Sequence, residues 1–347
     1  MSLAEPRKRE RILVVRADRV GDIILTIPVF WNLRENFPKS TIAALVAPHG
    51  REILRLEESV DEFIVYERAG KHSGLRGLLL LTRELRKNKF DCVLFIQPEG
   101  KLALASYLAR IQERIGTLYR PYSLLFTKKH AQHKSPSLKH EMEYSLDILR
   151  ELGMTPRSGA PAIRLSDEEI ENANSLKREI GLEESSKPIV VHPGSSGSSG
   201  RWPVSRFREL VDLIISDGKE VVVSGNCEEL PLLEEMIEPM KEKPLSIVGR
   251  TDLRTLAAFY SLSKLVVSNS TGVVHLSAAV GTPTAAVFSP VISSSPTRWR
   301  PIGKRHKVFL PDVPECKKCT EEKCVYFDCM EKVLAQDVFR DIRDMIA

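Results

Sequence analysis

The sequence predicts an α/β protein of two doubly wound domains, each a parallel sheet covered by helices on both faces. Three observations carry this. The chain has 347 residues, about twice what one hydrophobic core usually organises. Short continuous apolar runs alternate with amphipathic stretches, the pattern of strands buried on both faces and joined by helical crossovers. A Gly/Pro-containing stretch, MTPRSGAP, interrupts the alternation near residue 160, and the alternation then resumes. The domains are therefore expected to span 1–160 and 161–347.

In the first half the candidate strands are residues 12–15, 41–46, 63–66, 92–96 and 114–118, with amphipathic helices at 23–36 and 75–88. The polar segment 120–139, with two prolines, breaks the pattern before a helix at 141–152. The second half reads as helix 167–180, strand 189–192, helix 203–217, strand 220–224, helix 228–240 and strand 245–248. Helix 252–261, strand 265–268, helix 272–280 and strand 284–288 complete it. In such sheets ligands bind beyond the carboxyl ends of the strands, and the two sets of strand ends are expected to face one inter-domain cleft.

Composition narrows the function. Apolar residues make up 42% and charged residues 28%, which excludes a disordered chain, a collagen-like repeat and a small disulfide scaffold. The net charge of +5 is uneven: residues 1–165 hold 28 basic against 19 acidic side chains, and the remainder 23 against 27. A basic half beside an acidic one suggests that the first domain meets an anionic partner. Arg51, Arg55, Lys71, Arg120, Lys128, Lys129 and Lys134 contribute to that basic half. No run approaches the 18 apolar residues of a membrane span, and the N-terminal stretch has no uninterrupted apolar region. A cytoplasmic location is expected, with no nucleic-acid partner.

Four segments carry candidate chemistry. The first strand runs into Arg16-Ala17-Asp18-Arg19-Val20-Gly21-Asp22 and then a helix. Asp22 at the helix opening suits either a helix cap or a general base on a rigid turn, and Asp18 is its rival. The strand at 189–192 leads into His192-Pro193-Gly194-Ser195-Ser196-Gly197-Ser198-Ser199-Gly200-Arg201-Trp202-Pro203. Its small residues let backbone N–H groups approach a phosphate, and Arg201 adds a cation. It lacks both the GxGxxG of a dinucleotide fold and the Lys-Ser/Thr of a P-loop.

The strand at 265–268 leads into Asn269-Ser270-Thr271-Gly272-Val273-Val274-His275, where Ser270, Thr271 and Gly272 open a helix and His275 lies on its first turn. This is a second anion site by type. Ser224 and Gly225 follow another strand in a weaker copy of the same geometry. Finally, Cys316, Cys319, Cys324 and Cys329 fall within 14 residues. A reduced cluster able to hold a structural zinc competes here with plain packing. No Asp-x-Asp occurs, so any nucleotide diphosphate has to be neutralised by helix N-termini and Arg or Lys rather than by a carboxylate-held metal ion.

Together these motifs resemble glycosyltransferase family 9, the bacterial heptosyltransferases of the lipopolysaccharide inner core. The resemblance rests on ILVVRADRVGDIILTIPVFWNLRENFP, VVHPGSSGSSGRWPVSRFREL, VVVSGNCEE, VVSNSTGVVHLSAAVGTPTAAVFSP and the Cys-rich tail. It implies a GT-B architecture of two Rossmann-like domains, the first for acceptor and the second for donor. It also implies an inverting transfer from an ADP-sugar that needs no cofactor. By this resemblance Asp22 is the general base, Thr271, Gly272 and His275 form the diphosphate-binding helix start, and Ser195 and Ser196 lie in the first phosphate loop. Gly200, Arg201, Ser224, Gly225 and Ser270, from the loops read above, are expected to face the donor with them. Arg19, Arg120, Lys128 and Lys129 are expected toward an anionic glycolipid acceptor, with peripheral contact at the inner face of the cytoplasmic membrane. Two positions depart from the family pattern: Gly200 stands where a lysine is frequent, and Ser270 where an aspartate is usual. They keep open a member that binds without transferring, or a GT-B enzyme using another nucleotide-sugar.

Overall fold

The computed structural model describes residues 9–195, 200–303, 305–320 and 323–347. Chain contacts divide it into two units. One takes the described residues up to Lys134 together with Glu141–Gly159, the other Ser135–His140 and Ala160–Ala347.

The first unit is a six-stranded parallel sheet. Its strands are β1 (Arg11–Val15), β2 (Thr41–Val46), β3 (Glu62–Val65), β4 (Cys92–Phe95), β5 (Glu113–Thr117) and β6 (Lys128–His130), in the order β3-β2-β1-β4-β5-β6. Between them lie α1 (Val20–Ile24), α2 (Ile27–Asn36), α3 (Pro48–Leu54), α4 (Gly74–Lys87) and α5 (Gly100–Leu108), with α6 (Glu141–Asp147) after β6. Leu13 and Val15 share one face with Leu45, Phe95 and residues of α4 and α5, while Ile12 and Val14 are equally buried between them. Burial on both faces is why these strands read as unbroken apolar runs. Because β1 pairs with both β2 and β4, the sheet reverses direction beside β1, so the loop after β1 opens at a topological switch point.

The second unit repeats the plan. Its strands are β7 (Ile189–His192), β8 (Val221–Val223), β9 (Leu245–Ser246), β10 (Leu265–Asn269), β11 (Thr284–Val287) and β12 (His306–Phe309), in the order β12-β11-β10-β7-β8-β9. Its helices are α7 (Asp167–Glu179), α8 (Val204–Ser216), α9 (Leu230–Ile237), α10 (Leu253–Ser261), α11 (Gly272–Ala279), α12 (Pro296–Trp299) and α13 (Ala335–Ile346). The switch point lies between β7 and β10, where His192, the last residue of β7, pairs with Ser268. The loops after these two strands are the ones singled out for phosphate.

Several elements differ from expectation for identifiable reasons. The helix expected at 23–36 is two helices, because Pro28 cannot donate backward and its ring opposes the preceding turn; it sits instead near the start of α2. The helix expected at 228–240 begins as a 3-10 turn, Cys227–Glu229, ahead of Pro231 in α9. The helix at 141–152 tightens to 3-10 at Ile148–Leu152 and ends on Gly153 at φ 82°. The polar break at 120–139 contains an unforeseen strand, β6, an edge strand of sequence KKH with no apolar run to announce it. Likewise β12 is an edge strand, and α3 is too short for a clear period.

Candidate active site

Within the first unit the site forms around Arg16. The residue is the first after β1, only 1% exposed, and its guanidinium gathers three carboxylates. Nε donates to Asp18 Oδ1 at 2.8 Å, Nη1 to Glu141 Oε1 at 3.2 Å, and Nη2 to Asp22. Lys134 Nζ donates to the same Glu141 oxygen at 2.8 Å. Burying charges costs several kcal/mol per ion unless they are mutually paired, and here every member has a partner.

The local fold does not use Asp22 as a helix cap. The N-cap of α1 is Arg19, not Asp22, and no side chain caps the helix. Asp22 lies in the first turn with its carboxylate committed to Arg16, so the capping alternative is absent. Burial raises its pKa to about 6, with Asp18 and Glu141 adding to the rise and Arg16 opposing it. A carboxylate poised there is ionised near neutral pH yet far more basic than an exposed aspartate, as general-base work requires.

The residues expected toward the acceptor are not equivalent. Arg19, Arg120 and Lys129 are exposed. Lys128 is half-buried and engaged: its Nζ pairs with Glu113 at 2.7 Å and donates to the Glu151 carbonyl at 2.8 Å, pinning the edge strand. Lys134 is likewise held by Glu141, so the basic loop read at 128–134 presents chiefly Lys129 to solvent. Glu141 and Lys134 themselves belong to the Asp22 cluster. Only long-range folding brings them there, 125 and 7 residues from Arg16 and from each other respectively.

Within the second unit the loops after β7 and β10 are tied together by Asn269. Its Oδ1 accepts from the Trp202 N–H at 2.8 Å, and its Nδ2 donates to the Pro193 carbonyl at 2.8 Å. Trp202 is fully buried and anchors through Nε1 to the Val333 carbonyl at 2.8 Å. Ser195 is half-buried and Arg201 exposed at the two described ends of this loop; Ser196 lies outside the described residues. Gly194 leaves room for Glu229, since a Cβ there would stand 1.9 Å from that carboxylate's oxygen and the Glu229 side chain would have to shift. Gly225 packs against Leu233 and the same Glu229.

Ser224 departs from its expected role. It is wholly buried, and its hydroxyl bridges His192 Nδ1 at 3.0 Å and the Tyr260 hydroxyl at 3.2 Å. It braces the strand ends rather than facing a ligand.

The start of α11 is the clearest candidate for an anion site. Ser270, Thr271 and Gly272 are half-buried, Thr271 is an N-cap whose side chain makes no capping bond, and the first turn holds no acid. The first N–H groups of a helix have no intrahelical acceptor. On the same turn His275 is 6% exposed, and its Nδ1 has no hydrogen-bond partner. Burial, reinforced by nearby His140, pushes its pKa down to about 3, so the ring is neutral. A neutral ring with one open nitrogen beside a helix N-terminus is matched to an oxygen-rich ligand.

The four tail cysteines are free thiols lining one cavity of about 220 Å³, together with Gly200, Arg201 and Met330. Burial raises the pKa of Cys316 and Cys329, and neighbouring thiols add to the rise. Among the described residues no three His, Cys, Asp or Glu side chains are grouped to hold a metal ion.

Two Rossmann-like domains, each with polar residues gathered at its switch point, define a protein of the GT-B class. The chain belongs to glycosyltransferase family 9 (heptosyltransferase), whose profile matches residues 78–329, and it is a glycosyltransferase. It is 26% identical over 317 residues to a putative glycosyltransferase of Haemophilus influenzae, covering 87% of this chain and 89% of that one. It is 24% identical to lipopolysaccharide heptosyltransferase 3 of Escherichia coli K12, over 81% and 82% of the two chains. Among solved structures, the family 9 glycosyl transferase of Veillonella parvula superposes with a TM-score of 0.85 at 23% identity, over 99% of both chains. The E. coli ADP-heptose lipopolysaccharide heptosyltransferase II does so with a TM-score of 0.78 at 21% identity, over 97% of this chain and 98% of that one.

Proposed function

We propose that the protein transfers a heptose or related sugar from an ADP-sugar to an acceptor of the lipopolysaccharide inner-core type, inverting the anomeric centre without a metal ion. The observation that carries this reading is Asp22, a carboxylate at the first switch point whose surroundings lift its pKa to about 6. Asp22 takes the proton from the acceptor hydroxyl as that oxygen attacks the anomeric carbon. The bond from that carbon to the diphosphate oxygen breaks on the opposite side, and its electron pair leaves with ADP. The N–H groups at the start of α11, with His275 and Arg201, meet the charge that grows on the leaving diphosphate. A helix N-terminus contributes about 0.3–1 kcal/mol to each such charge, and up to ~2 when partly buried.

Support for the donor comes from relatives: a structure of E. coli heptosyltransferase WaaC was determined with ADP, and another with ADP-2-deoxy-2-fluoro heptose. The test is Asp22→Asn. A positioned base contributes about 10²–10⁴-fold, so turnover should fall at least ~100-fold while ADP-sugar binding by calorimetry is kept. Near-normal turnover rejects Asp22 as the base. Retention of anomeric configuration in the product, read by NMR, rejects the inverting mechanism.

Gly200 and Ser270 favour a second reading, a member that binds nucleotide or glycan without transfer. Binding with no turnover across a panel of nucleotide-sugars and acceptors would establish it.

A further inference from the structure

We infer that the outer face of α4 is a docking surface for a bilayer of anionic phospholipids. The inference rests on the acceptor reading above, because a lipid-linked acceptor has to be reached at such a surface.

The helix has the sequence GLRGLLLLTRELRK, and its inner face is ordinary: Gly77, Leu81, Thr82 and Leu85 are buried against the first sheet. The outer face is not. Leu75 is 80% exposed, Leu79 54% and Leu80 43%. At about 100° per residue these leucines share one arc of roughly 140° with Arg76, Arg83, Arg86 and Lys87, all four of them exposed. Three leucines in water are a cost that folding of this domain does not require. The single acid of α4, Glu84, turns instead to His72 Nε2 at 3.5 Å. The exposed arc therefore mixes apolar and cationic side chains with no negative charge.

That mixture selects the occupant. A protein groove takes an apolar ridge into a matching cavity, whereas α4 is a convex helix with arginines interleaved among its leucines. Leucines that enter the headgroup boundary while guanidinium groups bind lipid phosphates are the recognition pattern of an interfacial helix. The long Arg and Lys stems can lie along the apolar layer with their charges at phosphate level. The surface continues at the end of α5, where Arg86 Nη2 donates to the Leu108 carbonyl at 2.6 Å and Tyr107 is 50% exposed.

Position gives the surface a use. The first turn of α4 follows the carboxyl end of β3, and Lys101, in the first turn of α5, donates to the Gly74 carbonyl at 3.0 Å. The first turn of α4, with Leu75, thus lies at the same end of the sheet as Arg16 and Asp22. A bilayer touching Leu75 and Leu79 would hold lipid-linked acceptors at the end of the domain that carries the base.

The test uses the full-length protein and large unilamellar vesicles of phosphatidylcholine, with and without phosphatidylglycerol. Wild type should co-sediment with the phosphatidylglycerol vesicles, bind phosphatidylcholine alone at least ~10-fold less, and release as salt is raised. Replacing Leu75, Leu79 and Leu80 by Ser, or Arg76, Arg83 and Lys87 by Glu, should each weaken vesicle binding at least ~10-fold. Tm and turnover on a detergent-free, delipidated acceptor should stay at wild-type values, since these side chains support neither fold nor chemistry. Wild type that ignores the anionic vesicles, or variants that bind them equally, overturns the inference. So does self-association that the leucine replacements abolish in the absence of vesicle binding, which would make the occupant a second copy of the chain. Vesicle binding that behaves as expected without sugar transfer from any donor keeps the surface and overturns the function proposed above. Transfer without vesicle binding does the reverse.

Discussion

Asp22 and Glu141 hold the same guanidinium: Arg16 donates to both, from the end of β1 to α1 on one side and to α6 on the other. The two carboxylates are therefore electrostatically linked, and Glu141 is among the charges that raise the Asp22 pKa. Glu141→Gln removes that charge and leaves Arg16 more fully to Asp22. The acid limb of the kcat/KM profile, expected near pH 6, should move to lower pH. Wild type loses activity as pH falls through that limb because Asp22 becomes protonated; the variant should hold activity further into acid. A limb that stays put, or moves up, would show that Glu141 serves only the fold.

His275 makes a prediction of opposite character. Its pKa of about 3 leaves the ring neutral throughout the range in which an ordinary histidine titrates. Donor affinity should accordingly be flat in pH between about 5 and 8. Replacement by Ala should raise the donor KM about 3–10-fold, the loss of one neutral hydrogen bond, with a smaller effect on acceptor KM. A donor affinity that falls as pH rises through about 6.5 would mean that the ring binds as a cation.

Lys128 separates a structural lysine from an acceptor-binding one. Burial alone would raise the Glu113 pKa, but hydrogen bonds from Arg9 and Lys128 pull it down to about 2. A carboxylate depressed in the folded state adds stability above its unfolded pKa and loses it as pH falls toward the folded value. Lys128→Met should lower Tm near neutral pH, by about 1 kcal/mol or less in stability since the lysine is partly exposed. The deficit should narrow on acidification from pH 4.5 toward 2, the interval between the two Glu113 pKa values. Acceptor KM should not change; a raised acceptor KM at unchanged Tm would return Lys128 to the acceptor site.

The parts of this molecule that were legible in its sequence share a physical reason. Strands buried on both faces, such as β1, β2 and β10, are continuous apolar runs, and the loops that follow them at the switch points carry the polar motifs directly in sequence. The edge strands β6 (KKH) and β12 (HKVF) are short and only partly buried, with lysine and histidine in place of a continuous apolar run. Asp22 stands out in the sequence because it follows its strand after one short turn, which is also where the structure places it beside Arg16. Its partners do not, because Lys134 and Glu141 reach Arg16 only after the sheet is built. Ser224 and Lys128 misled in the same way: a hydroxyl after a strand and a lysine in a polar segment look free until folding assigns them His192, Tyr260 and Glu113.

Two glycines at the ends of the loop after β7 should respond oppositely to substitution. At Gly194 an added Cβ would meet the Glu229 carboxylate, whose Oε2 accepts from the Asn226 N–H at 2.9 Å. Gly194→Ala therefore displaces a carboxylate that holds the next loop, and should cost about 1–3 kcal/mol of stability. At Gly200 the nearest atom to an added Cβ is Met330 Cγ at 3.3 Å, part of a flexible thioether chain that can yield. Gly200→Lys should fold with a Tm close to wild type and place a cation beside Arg201. If the diphosphate lies along this loop, the donor KM should fall while kcat is kept, by about tenfold for a gain near 1.4 kcal/mol. An unchanged donor KM in a well-folded Gly200→Lys protein would mean that the phosphates are held at α11 alone, and that the loss of a lysine here is no handicap to the enzyme.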